Sequence, residues 1–168
     1  MHNLEQCGQE NKALAYEQLY QQLQAVLKDE RYVIANLSNT AAVLYQCLTQ
    51  INWVGFYLWH DDQLILGPFQ GKVACMHIDK GRGVCGTAVE TAKGQVVADV
   101  HQFPGHIACD GESRSEIVLP LYFEGRILGV LDIDSPVLGR FDEDDRKGLE
   151  RIVDLLQKQC DWESFQYS

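Results

Sequence analysis

No two of the six cysteines stand in a C-x-x-C pair, so the short zinc-ribbon and thioredoxin-type signatures are absent. Long apolar runs are missing too. The best candidate, Ile117 to Phe123, is interrupted by Pro120 and is strand-length, well short of the roughly 18 residues of a membrane span. The opening residues, MHNLEQCGQENK, carry neither the basic segment nor the apolar segment of a secretory signal. Basic residues are scarce: 14 Lys and Arg against 24 Asp and Glu leave a formal charge of −10. That balance weighs against a phosphate-binding surface for nucleic acid. No internal repeat, low-complexity stretch or convincing linker divides the chain. These absences lead us to expect a soluble, cytoplasmic protein with neither nucleic acid nor membrane as partner. In that compartment its cysteines are expected to be reduced thiols.

What is present fits one domain. The 168 residues can bury a sizeable core without staples. In Ala13 to Lys28, Tyr16, Leu19, Leu23, Val26 and Leu27 recur at three- and four-residue steps, and Val33, Ile34, Leu37, Ala41, Leu44 and Leu48 repeat the pattern. Two helices are predicted. The period then changes. "INWVGFYLW" (Ile51 to Trp59) is a strand ended by Asp61-Asp62, and "QLILG" and "KVACMHI" read as two more. "GRGVCGTAVETAKG" reads as a loop and a short helix, with Cys85 near its start and a stop at Gly94. After the short strand "QVVADV", a long loop from Val100 to Ser115 carries Cys109. "EIVLPLYF" and "RILGVLDID" form a hairpin around Glu124-Gly125. A last helix is capped by Asp142, with Asp145 in its first turn and Leu149, Ile152, Val153 and Leu156 as its apolar stripe. The predicted class is α+β: a mainly antiparallel sheet with helices packed against one side.

With the strands and cysteines placed, the chain resembles the free methionine-(R)-sulfoxide reductases, which are small stand-alone GAF-type domains. The matching pieces are "NWVGFY", "LGPFQGK" with Cys75 three residues on, "GRGVCGTA", "VVADVHQFPGHIACD", "SEIVLPL" and "LGVLDIDS". They run in family order from about Ala13 to Leu156. The domain is accordingly drawn over residues 13–158, with tails at 1–12 and 159–168. Val73 stands where the family is expected to carry proline, and "DGESRSE" is a variant loop. Cys7, Cys47 and Cys160 lie outside the family pattern and are given no role.

The resemblance implies reduction of free L-methionine (R)-S-oxide, with Cys109 as nucleophile and Cys75 as its disulfide partner. It implies Cys85 as an auxiliary thiol, thioredoxin as reductant, and no cofactor or metal. A homodimer is left open. Chemically, a thiol of pKa about 8.5 is a few per cent thiolate at neutral pH, and attack on the sulfoxide leaves a sulfenic acid that a second thiol converts to a disulfide. Cys85, near a helix start and followed by Gly86, could equally well only pack. Glu116 opens one strand of the hairpin, while Asp132 and Asp134 end the other and share a face. Gathered in a cleft, such acids raise one another's pKa, giving a proton donor for the departing oxygen and a partner for an ammonium. Their ordinary reading is as strand-end residues before the Ser135-Pro136 turn. Trp53 and Tyr57 lie on one strand face, where Trp53 resembles the family residue that packs on the substrate methyl; Trp59 continues that face. Asp110 and Glu112 read as solvated loop residues. His106, His101 and His77 each lie near a cysteine, with a surface histidine as the ordinary reading. A metal held by Cys75, Cys85, Cys109 and a histidine finds no support in the spacing. The rival reading is a GAF ligand-binding or redox sensor without turnover, because fold alone does not fix function.

Overall fold

The computed structural model describes residues 11–107, 109 and 111–165; Cys7 and Asp110 lie outside the described residues. Its elements are α1 (Lys12–Leu27), α2 (Val33–Cys47), β1 (Trp53–His60), β2 (Gln63–Gly71), β3 (His77–Asp79), α3 (Gly83–Thr91), β4 (Gln95–Val97), β5 (Ser115–Phe123), β6 (Arg126–Ser135) and α4 (Glu143–Gln159). A 3₁₀ turn, Val100–Gln102, follows β4. The six strands form one sheet in the order β3-β2-β1-β6-β5-β4, and every neighbouring pair is antiparallel. The α+β class read from the sequence is the observed one.

The two faces of β1 have separate tasks. Val54, Phe56 and Leu58 point into a large apolar core with the stripes of α1, α2 and α4, including Leu23, Leu37, Leu44, Ile152 and Leu156. Trp53 and Tyr57 alternate to the opposite face, where they meet α3 through Val84, Cys85 and Ala88. The helices expected on one side are thus α1, α2 and α4, and the short α3 takes the other. Cys47 and Cys160 sit in the large core, and Trp162 folds back into it by donating its indole N–H to the Leu156 carbonyl at 3.0 Å.

At the amino end of α4, Asp142 accepts from the backbone of Asp144 and Asp145, while Asp145 accepts from the Asp142 N–H, a complete capping box. Asp145 is 1% exposed. It also accepts from the Tyr16 hydroxyl and Lys12 Nζ, both at 2.7 Å, and from the Arg140 guanidinium at 3.1 Å. Gly148 permits the close approach, since a Cβ there would lie 2.2 Å from the Tyr16 ring.

Two sequence expectations need correction. "KVACMHI" is not a strand along its length: only His77–Asp79 forms β3 against β2, with the Met76 carbonyl still accepting from the Leu66 N–H at 3.0 Å, and Lys72–Cys75 leave the sheet. Side chains of β1 draw this segment across the sheet face: Trp53 Nε1 donates to the Lys72 carbonyl at 3.1 Å and the Tyr57 hydroxyl to the Cys75 carbonyl at 2.9 Å. The stop of α3 is Ala92, in the left-handed region at φ 54°, two residues before Gly94.

Candidate active site

Strand register assembles the floor of a cleft. Glu116 on β5 lies directly opposite Asp134 on β6, and Asp134 lies opposite Trp53 on β1. One same-face step along, Asp132 is flanked by Val118 and Gly55. Gly55 is required there. A Cβ would come within 2.6 Å of the Trp53 ring and 2.4 Å of Phe69 Cβ. Trp53 stacks between Tyr57 and Phe69, at centroid separations of 5.9 and 5.4 Å, and forms one apolar wall of the cleft.

The roof comes from α3 and two loops. Cys85, in the first turn of α3, places its sulfur 4.0 Å from Glu116 Oε1. Cys75 in the loop after β2 is joined by a disulfide to Cys109 in the loop before β5, with Cα atoms 5.8 Å apart. Lys72 Nζ bridges the same two loops to Glu112 at 2.9 Å, and Asn52 Nδ2 donates to the Ser113 hydroxyl at 3.1 Å. Cys109 is exposed and Cys75 half-buried, whereas Cys85 is 4% exposed.

Burial dominates the electrostatics. It pushes the Glu116 carboxyl well above the usual range, reinforced by repulsion from Asp132 and Asp134. Burial also raises Asp132 to about 6, partly opposed by hydrogen bonds with Glu116 and Cys85. The Cys85 thiol is driven well up by burial first, then by Asp132, Glu116 and Asp134. Such a group of acids cannot carry all its charges at neutral pH and holds a shared proton.

The structure therefore brings Cys75, Cys85, Cys109, Glu116, Asp132, Asp134, Trp53 and Tyr57 to one cleft. His106 also lines it, its imidazole pKa lowered by burial and by His101. His101 pairs with Asp99, and His77 bonds Gln63. The metal set weighed from sequence is not formed, because Cys75 and Cys109 are bonded to each other. Cys85 groups instead with Glu116 and Asp132. Glu112, expected to be solvated, is exposed but engaged by Lys72.

Sequence reasoning missed Arg82, Ile107, Ser113 and the amino end of α3, all of which border the cleft. One signal was available. Gly81-Arg82 precedes this helix where a Ser, Thr, Asp or Asn cap is usual, and Arg82 at the N-cap makes no side-chain capping bond. Helix N–H groups left without a cap are free to bind an anion.

The GAF domain family matches residues 35–157. The free methionine-R-sulfoxide reductase of Escherichia coli is 55% identical, over 88% of this chain and 90% of its own length. The reduced form of the Staphylococcus aureus fRMsr superposes with a TM-score of 0.84 at 56% identity, covering 86% of this chain and 94% of that one. The free methionine-R-sulfoxide reductase of Neisseria meningitidis, solved with its substrate, gives 0.90 at 46% identity and 95% of both chains. The chain belongs to the GAF-domain family and, within it, to the free methionine-R-sulfoxide reductases.

Proposed function

We propose that this chain reduces free L-methionine (R)-S-oxide to L-methionine and is re-reduced by thioredoxin in the cytoplasm. The observation that carries the reading is the Cys75–Cys109 pair, lying over a floor of buried acids. In the dithiol form, the Cys109 thiolate attacks the sulfoxide sulfur. The acids below deliver one proton to the sulfoxide oxygen. That oxygen passes to the Cys109 sulfur as a hydroxyl while the S–O bond and the new sulfur–sulfur bond to the substrate break, and methionine departs, leaving Cys109 as a sulfenic acid. The Cys75 thiol attacks that sulfur, expels water and closes the disulfide. A thiolate of thioredoxin then opens it, and its second thiol completes the two-electron exchange. The cytoplasmic assignment rests on this need for a reducing pool. Among the described residues, no helix is long and apolar enough to cross a membrane.

The same cleft accounts for recognition. Ionised carboxylate among Glu116, Asp132 and Asp134 receives the ammonium, the Trp53 ring flanks the methyl group, and Arg82 with the open start of α3 receives the α-carboxylate. A peptide-bound methionine sulfoxide has neither terminal charge at that residue, so the free amino acid is favoured.

The test is methionine release from free (R)-sulfoxide, free (S)-sulfoxide and a blocked peptide, each with a thioredoxin system. The (R) form alone should turn over, and Cys109→Ser should lower the rate by about a thousandfold or more. Turnover of none of the three would overturn the reading in favour of a non-catalytic sensor.

A further inference from the structure

Cys85 Sγ and carboxylate oxygens of Glu116 and Asp132 lie within 4.8 Å of one another. All three residues are buried, and Oδ1 of Asp132 has no hydrogen-bond partner although the residue is only 5% exposed. An acceptor kept from water and left without a donor is costly, and this one borders the cleft. A substrate ammonium would satisfy it. The thiol beside it adds something an ammonium does not use: a soft, polarisable ligand.

We propose that Cys85, Glu116 and Asp132 form a binding site for a divalent cation of the zinc class, and that this cation and the substrate amine exclude each other from the cleft. The competition rests on the function proposed above; the metal site does not. Zinc–sulfur and zinc–oxygen bonds of about 2.3 and 2.1 Å set tetrahedral ligand atoms roughly 3.6 Å apart. The sulfur-to-Glu116 separation is 4.0 Å, so small side-chain rotations close the set. The three ligands stand on adjacent strands β5 and β6 and on the first turn of α3, a firm scaffold for a fixed geometry. Three protein ligands leave a fourth position toward the cleft, the open arrangement of an exchangeable site. The thiolate selects against Mg²⁺ and Ca²⁺, which take oxygen ligands in larger number. Binding forms one metal–sulfur and two metal–oxygen bonds and releases to solvent the thiol proton together with the proton shared by the two acids. No electrons move, so the disulfide is unaffected.

The site is tested on the oxidised protein, in which Cys75 and Cys109 are tied up in their disulfide, by titration with Co²⁺. One equivalent should produce the near-ultraviolet thiolate-to-cobalt charge-transfer band, and Zn²⁺ should abolish it. Cys85→Ser should lose the band, and Asp132→Asn should weaken binding at least about tenfold. Cys7→Ser, Cys47→Ser and Cys160→Ser should each keep it. Thermal melts of every variant establish that a lost band is not a lost fold. In a Cys75→Ser/Cys109→Ser double variant, which cannot turn over, free methionine (R)-sulfoxide should displace the cobalt. Absence of the band in the wild type, or its survival in Cys85→Ser, overturns the site. Failure of the sulfoxide to displace cobalt overturns the shared cleft. A chain that binds cobalt through Cys85 yet reduces no sulfoxide would uphold the site and sink the reductase reading instead.

Discussion

Asp145 and Asp132 are both buried aspartates, at 1% and 5% exposure, yet their surroundings are opposite. Asp145 is met by Lys12, Arg140, the Tyr16 hydroxyl and a backbone N–H. Its charge is neutralised, and the result is a joint that fastens α1 to the start of α4. Asp132 is met by Glu116 and Cys85, themselves acids, and one of its oxygens bonds nothing. A buried carboxylate surrounded by cations is part of the framework, whereas one surrounded by acids stores a proton or awaits a cation. The two kinds of burial divide the molecule into a part that holds and a part that reacts.

The largest effect is expected at the joint. Asp145→Ala removes the one anion between Lys12 and Arg140 and leaves a nearly buried guanidinium uncompensated. We expect a loss of about 3–5 kcal/mol in urea unfolding. Sulfoxide reduction, measured well below the new midpoint, should stay close to wild type.

Asp132→Asn should do the reverse. Burial pushes its carboxyl up to about 6 in the folded chain, from 3.8 for an unperturbed aspartate. Between those values the folded state binds more protons than the unfolded state, so this group's contribution falls as pH rises and its cost is complete above about pH 6. Replacement by the neutral amide should therefore stabilise the protein by about 3 kcal/mol at pH 7.5 and by little below pH 4, as read from melting curves at both values. Activity should drop by about a hundredfold or more.

The smallest effect is expected at Asp142. Its carboxyl is held at about 2, chiefly by the hydrogen bond from Lys12. The unfolded state binds more protons between the two values, so this stability is present above pH 4 and lost as pH falls toward 2. Asp142→Ala should cost about 1 kcal/mol at neutral pH as a lost helix cap. The variant should also show a shallower acid limb in a plot of stability against pH.

Much of this division was legible in the sequence, unevenly. The 3.6-residue stripes of α1, α2 and α4 gave the large core, because a helix announces its buried face in its own spacing. Alternation placed Asp132 and Asp134 on one face of β6, and the Glu124-Gly125 turn put Glu116 on the adjacent strand. The pairing of Cys75 with Cys109 came from resemblance, since a separation of 34 residues says nothing of distance. The joint at Asp145 was read only as a first-turn acid. Its partners Tyr16 and Lys12 are 129 and 133 residues away, and no local pattern connects them. Lys72–Cys75 looked like a strand because its composition suits one; side chains from β1 decided otherwise.

Trp53 and Tyr57 hold that segment through the carbonyls of Lys72 and Cys75. Every residue type has a carbonyl, so the anchoring is blind to the side chains between the two anchors. Val73, standing where the family is expected to have proline, is one such substitution. The address of Cys75 is thus written in β1, and the segment that carries it can drift in sequence while delivering its sulfur to the same place.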